Sequence, residues 1–236
     1  MLFLFYLLLV LPWMAFRSRQ KLNNGREADI DRFSDAELDR IWRITLINLS
    51  IMFVLSWAVG DGFGFRIFVL PTLNADVILA TTAALLLCLL IRRVARRIRP
   101  HSERRKLLVF ALAPRNRRQW LLKSVVVLCA CVAEESAYRG VAWQILSYST
   151  GQHQLAAVIC SVAFALAHWV QGWISILMIF FVAVIMHGLV EYSNSLVPAM
   201  LVHGVFDFIA IALISREASQ YRQADSLPDL RQATDE

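Results

Sequence analysis

Apolar residues gather along this chain into seven blocks at or near the roughly 20-residue length that crosses a bilayer as a helix. They cover about 1 to 16, 41 to 60, 73 to 91, 120 to 143, 155 to 171, 173 to 191 and 195 to 214, with the polar positions concentrated between them. The first is short, and the fifth and sixth nearly touch. The expected fold is all-α, a polytopic transmembrane helical bundle of about seven spans. Met1 to Phe16 has no basic leader and no small-residue cleavage site, and runs directly into Arg17, Arg19 and Lys21, so a retained anchor is expected and not a signal peptide.

Composition agrees. Of 236 residues, 58% are hydrophobic, and the mean hydropathy is +0.55, well above the roughly 45 to 50% apolar content of a soluble domain. The net charge of +6 belongs to two loops: residues 92 to 119 hold eleven Arg and Lys and residues 17 to 40 hold six. The loop 61 to 72 has only Arg66, and 144 to 154 has none. The basic loops are therefore expected in the cytoplasm, where anionic lipid is their natural contact, with the N-terminus outside and the C-terminal tail inside. No nucleic-acid module accompanies the charge, and no nucleic-acid partner is expected. Cys88, Cys129, Cys131 and Cys160 all fall inside spans, where cysteine acts as a small apolar residue, and Cys129 and Cys131 point apart on a helix, so neither a disulfide nor a chelating pair is expected.

Residues 17 to 40 alternate acid and base, and Ser34 and Glu37 have capping-box spacing, which predicts a short cytoplasmic helix leading into the second span. Leu107 to Ala113 is too short to span and is expected at the membrane interface. No internal repeat is visible, and the tail from Glu217 is polar enough to be partly disordered. The chain divides into a scaffold of early spans with basic loops, 1 to 119, a chemistry-bearing core, 120 to 214, and a polar tail, 215 to 236.

The core earns that description because ionisable residues enter its apolar blocks. Glu134 and Glu135 stand side by side, with Arg139 four residues beyond the second. An ionised side chain at a bilayer centre costs roughly 2.5 to 3.5 kcal/mol on insertion scales, whereas each Leu, Ile or Val returns about 0.3 to 0.6. These charges must face other helices or a wet cavity. Arg139, one turn from Glu135, can hold one carboxylate ionised while the other is left to exchange a proton, as a general base requires. His168 lies one turn from Phe164 among small residues that allow close helix approach. His203 and Asp207, at i and i+4, share a face, so the carboxylate can orient the imidazole or bind water itself. Three spans thus bring ionisable groups to one membrane layer. His187 and Glu191 form another i, i+4 pair, read as structural or peripheral, and the tryptophans Trp13, Trp57, Trp120, Trp169 and Trp173 mark span ends.

These residues resemble a known family. Glu134-Glu135-Ser-Ala-Tyr-Arg139 matches an EExxxR signature, Phe164 to His168 an FxxxH signature, and His203 to Asp207 an HxxxN or HxxxD signature of the CPBP family, the CAAX proteases and bacteriocin-processing enzymes also called the Abi family. The resemblance covers roughly Trp120 to Ile214. It implies an intramembrane endopeptidase related to the type II CAAX prenyl proteases, acting on a peptide or membrane-protein substrate that in some relatives is lipidated. Carried onto this chain it makes Glu134 the base, Glu135 and Arg139 its support, His168 a partner on the water, and His203 with Asp207 the stabilisers of the oxyanion. Zinc held by Glu134, His168 and His203 is the metal-dependent form of the same scheme, although no H-E-x-x-H is present. Tyr138 stands where Phe is usual and Asp207 where Asn is frequent; an ionised Asp cannot donate a hydrogen bond. A bacterial inner membrane is the expected location.

Two rivals remain at this level. A non-enzymatic binding or bacteriocin-immunity protein could use the same scaffold without needing every ionisable residue. A proton- or cation-coupled transporter could use the carboxylates and histidines as a relay, but the first three spans show no counterpart to the later motifs.

Overall fold

The computed structural model describes residues 1–23, 33–99 and 108–226. Seven long helices account for it, and no strand occurs among the described residues. Helix α1 is built from Leu2–Phe5, a π-helical turn Tyr6–Val10 and Leu11–Asn23. Then come α2 (Asp35–Gly62), α3 (Ala75–Ile98), a single turn at Leu108–Ala111, and α4, which runs as Arg117–Glu135, a π-helical segment Ser136–Ala142 and Trp143–Thr150. The last three are α5 (His153–Ala167), α6 (Trp173–Ser193) and α7 (Val197–Ser226). Five of the seven, α1, α2, α3, α6 and α7, contain stretches long and apolar enough to cross a membrane. Helix α5 is apolar but has only 15 residues, and α4 carries Lys123, Glu134, Glu135 and Arg139 within its apolar length. The protein is an integral membrane protein.

Helix ends follow local chemistry. The Ser34 hydroxyl accepts from the Glu37 amide while the Glu37 carboxylate takes the Ser34 amide at 2.8 Å, the reciprocal box anticipated from the spacing. Asn74 and Asn116 cap α3 and α4 in the same way, accepting from the amides of Val77 and Gln119. Gly151, at φ 68°, ends α4 in the left-handed region that costs glycine nothing and lets the chain reverse into α5.

Helix α4 is the axis of the bundle. It packs along α2 and α7, and its C-terminal half lies against α5, while α6 packs on α3 and α5. The contacts are lined by Ala133, Ala137, Ala142, Ala163, Ala183 and Ala199, all buried, and small residues let helices approach closely where lipid supplies no hydrophobic drive between them. Gly140 is another close approach: a Cβ there would sit 3.0 Å from Leu196 Cδ1.

Two expectations change, for the helix before the second span and for the tail. The helix that begins at Asp35 does not stop before the second span but continues unbroken through it; the acidic run before it, 24 to 32, lies outside the described residues. The turn at Leu108–Ala111 is covered by α7, with Phe110 and Ala113 buried against Ala218 and the Phe110 and Tyr221 rings edge to face at 5.6 Å. That packing, with the Arg96–Glu217 ion pair at 3.1 Å, keeps the polar end of α7 helical to Ser226, where a partly disordered tail was expected from Glu217. Residues 227 to 236 lie outside the described part.

Candidate active site

Glu134 and Glu135 fall on the last turn of α4 before its π-helical segment. A π turn widens the helix by one residue and is frequent at functional sites; it was not legible in the sequence. Adjacent on the helix, the two carboxylates point into different surroundings. Glu135 is sealed, its side chain 1% exposed, whereas Glu134 keeps 17% and reaches a cavity. The Arg139 guanidinium, equally sealed, donates to Glu135 Oε1 at 3.1 Å and to the Ala183 carbonyl at 3.4 Å. It also lies over the Phe164 ring, 4.7 Å from its centre, a cation–π contact in a dry setting.

Helix α7 brings His203 to the same point. Its Nδ1–H donates to Glu135 Oε1 at 2.8 Å, so one carboxylate oxygen serves both the arginine and the imidazole. The orienting carboxylate is therefore Glu135, not the Asp207 favoured by spacing. Asp207 Oδ2 and Glu134 Oε2 each stand 3.7 Å from the other ring nitrogen, Nε2, which is beyond a direct hydrogen bond but leaves Nε2 facing two carboxylates.

His168 closes α5. Its Nδ1 lies 2.8 Å from the Phe164 carbonyl, which can only accept, so Nδ1 carries the hydrogen and a neutral ring presents its lone pair at Nε2. Phe164 is the common floor: its ring centre is 4.8 Å from that of His168, 6.3 Å from that of His203 and 5.0 Å from that of Tyr138. Its place in the motif was visible in the sequence, but its role as the surface on which Arg139 and both histidines rest was not. Tyr138 spends its hydroxyl on the Leu7 carbonyl in the π turn of α1, at 3.4 Å, a contact that a Phe could not make.

All six candidate residues, Glu134, Glu135, Arg139, His168, His203 and Asp207, line one cavity of about 500 Å³. It extends from them to Arg96, Arg99 and Glu217, at the end of the bundle where the basic loops lie. A second cavity, about 580 Å³, approaches from the opposite end between Arg66, Gln144, Ser147 and Glu191, and Arg139 alone lines both. His187 is buried with its edge toward Trp143 and makes no hydrogen bond, while Glu191 faces the second cavity; the two do not pair.

The four cysteines are free. No group of three His, Cys, Asp or Glu side chains among the described residues is arranged to hold a metal ion. Glu134, His168 and His203, the residues of the metal-dependent form, line the same cavity, with His203 Nε2 and Glu134 Oε2 3.7 Å apart.

Residues 116–209 match the family model described as Type II CAAX prenyl endopeptidase Rce1-like. The matched segment begins at the cap of α4, ends two residues past Asp207, and holds all three motifs. The match points to a peptidase. No curated protein and no solved structure matches the chain.

Proposed function

We propose that the protein is an intramembrane endopeptidase, similar to the CAAX prenyl proteases, in which a glutamate-activated water hydrolyses a peptide bond in or near a plasma membrane. The observation that carries this reading is the division of labour between two neighbouring carboxylates: Glu135 is sealed and gives its Oε1 to both Arg139 and His203, while Glu134 is the more exposed of the two on the cavity.

Hydrolysis needs a base for water and a donor where negative charge develops. Glu134 takes a proton from water held between its carboxylate and the Nε2 lone pair of His168. The oxygen attacks the carbonyl carbon, and the carbonyl oxygen becomes the oxyanion. His203, with Nδ1–H fixed on Glu135, directs Nε2 into the cavity; in the imidazolium form Nε2–H donates to that oxyanion. The C–N bond then breaks as Glu134 returns its proton to the leaving nitrogen. Arg139 balances the charge of Glu135 in a layer without water, and Asp207 adds a carboxylate that favours the charged imidazole.

By the positive-inside rule the basic end of the bundle is cytoplasmic, and the cavity reaches the glutamates from that end. Although Glu134 lies seventeen residues beyond Arg117 along α4, nearer the opposite face, its substrate would enter from the cytoplasm. The test is a comparison of membranes containing the wild type and the Glu134→Gln variant by terminal-peptide mass spectrometry. Cleavage products that vanish in a folded variant support the reading and identify the substrate; an unchanged product list sinks it.

A further inference from the structure

The cavity at the end of the bundle away from the basic loops plays no part in the hydrolysis described above, yet its walls are fixed. Ile67, in the connection between α2 and α3, is wedged between glycines of two helices: a Cβ on Gly60 would lie 2.6 Å from its Cδ1, and one on Gly140 3.4 Å from its Cγ2. That wedge pins the neighbouring Arg66. Further along the same connection the Val69 carbonyl accepts from the Ser195 hydroxyl, which ties it to the turn between α6 and α7. Asn194, at φ 50°, makes that turn three residues after Glu191. Arg66 and Glu191 both line the cavity of about 580 Å³, and neither makes a hydrogen bond or an ion pair with any described residue, the other included. On the α4 wall of the same space the Ser147 hydroxyl and Arg139 Nε are buried without a partner among the described residues, where buried polar groups are normally paired. Phe65, Val69, Tyr148 and Leu196 supply apolar lining, and Tyr148 is 89% exposed at the rim.

We propose that this cavity receives the headgroup of a zwitterionic phospholipid with a primary ammonium, its phosphodiester on Arg66 and its ammonium on Glu191. A simple anion entering here would meet the Glu191 carboxylate, and a simple cation the Arg66 guanidinium. A guest that carries both charges satisfies both and adds no net charge to the space. The planar guanidinium fork matches two phosphate oxygens, and the Ser147 hydroxyl is a further donor for an ester oxygen. A primary ammonium brings three N–H donors to the carboxylate, whereas a trimethylated one brings none. The apolar lining gives the acyl chains a path out past Tyr148, which a small soluble zwitterion would not need. The cavity is within the size range of ordinary ligand sites, about 300 to 1,000 Å³. This site stands apart from the candidate active site and does not depend on the endopeptidase reading.

The experiment uses the full chain, purified in detergent and stripped of lipid, then given an equimolar mixture of phosphatidylethanolamine and phosphatidylcholine with identical acyl chains. Retained lipid is counted by native mass spectrometry. Both lipids are net neutral, so the basic loops at the other end favour neither. The ethanolamine lipid is expected to be retained at least about fivefold over the choline lipid. Arg66→Gln should lower retention of both, since both carry the phosphate, and Glu191→Gln should remove the preference; the two positions are exposed, so the fold does not depend on them. Asp76→Asn, which removes an exposed carboxylate outside the cavity, should leave the preference unchanged. An equimolar amount of glycerophosphoethanolamine, the same headgroup without acyl chains, should not displace the lipid. Equal retention of the two lipids, unchanged retention in Arg66→Gln, a preference that survives Glu191→Gln, or its loss in Asp76→Asn would each overturn the proposal. So would displacement by glycerophosphoethanolamine, which assigns the cavity to a soluble zwitterion. Because no turnover is read, failure of the lipid site and failure of the endopeptidase reading are seen separately.

Discussion

Glu135 and His203, sixty-eight residues apart in the chain, share a 2.8 Å hydrogen bond between α4 and α7, and Arg139 donates to the same carboxylate oxygen. This one oxygen ties the first motif to the third. It also separates the tasks of the glutamates, since the residue that fixes the geometry is not the one exposed to the cavity.

The two carboxylates should therefore fail in different ways. Glu135→Ala leaves Arg139 buried without its counter-charge, a loss of about 3 to 5 kcal/mol for a buried pair broken on one side. Thermal unfolding in detergent should drop sharply. Glu134→Gln, which keeps shape and exposes a neutral amide to the cavity, should unfold within about a degree or two of the wild type while losing hydrolysis by roughly a hundredfold or more. Equal destabilisation by both would contradict the division of roles.

Phe164→Leu preserves apolar volume but removes the ring beneath Arg139 and against both imidazoles. The cation–π contact is worth about 0.5 to 2 kcal/mol. Stability should fall by about that amount, and kcat by more than KM rises, because His168 loses the ring packed against it. A variant with wild-type kcat would show that the ring serves packing alone.

Asp207→Asn should be tolerated. The carboxylate sits 3.7 Å from His203 Nε2, too far for a hydrogen bond, and is the most exposed of the cavity carboxylates at 35%. Only its field on the imidazole is lost, so kcat/KM should stay within about tenfold of the wild type. A loss as deep as that of Glu134→Gln would make Asp207 a direct participant.

Gly140→Val tests the close approach of helices. The added methyls would meet Leu196 and Ile67, where even a Cβ is only 3.0 and 3.4 Å from side-chain carbons. Overpacking of this kind costs about 1 to 3 kcal/mol. The Ser34→Ala variant, by contrast, removes an exposed cap and should cost about 1 kcal/mol with activity unchanged.

Much of this architecture is legible in the chain because the bilayer imposes it. Apolar blocks of spanning length become helices, since an unpaired backbone cannot remain in lipid. The carboxylates and histidines stand out because they are expensive there. What could not be read is whatever depends on how helices meet. The spacing of His203 and Asp207 suggested a local pair, yet the orienting partner came from α4. The π-helical segment after Glu135 leaves no signature in Ser136 to Ala142, and Lys123 looked like one more basic residue near a basic loop until the fold placed it on the cavity wall. The helix at the polar end of α7 likewise depends on Phe110 and Arg96, both distant in sequence.

Arg139 lines two cavities that approach from opposite ends of the bundle. In an energised membrane, wet space on both sides compresses the electrical field into the thin layer between, where moving one elementary charge works against about 2.3 kcal/mol per 100 mV. Arg139 and Glu135, each 1% exposed and 3.1 Å apart, put a charge-balanced ion pair in that layer. The pair that sets the geometry of the candidate site thus also stands as the partition between two cavities that open toward opposite ends of the bundle.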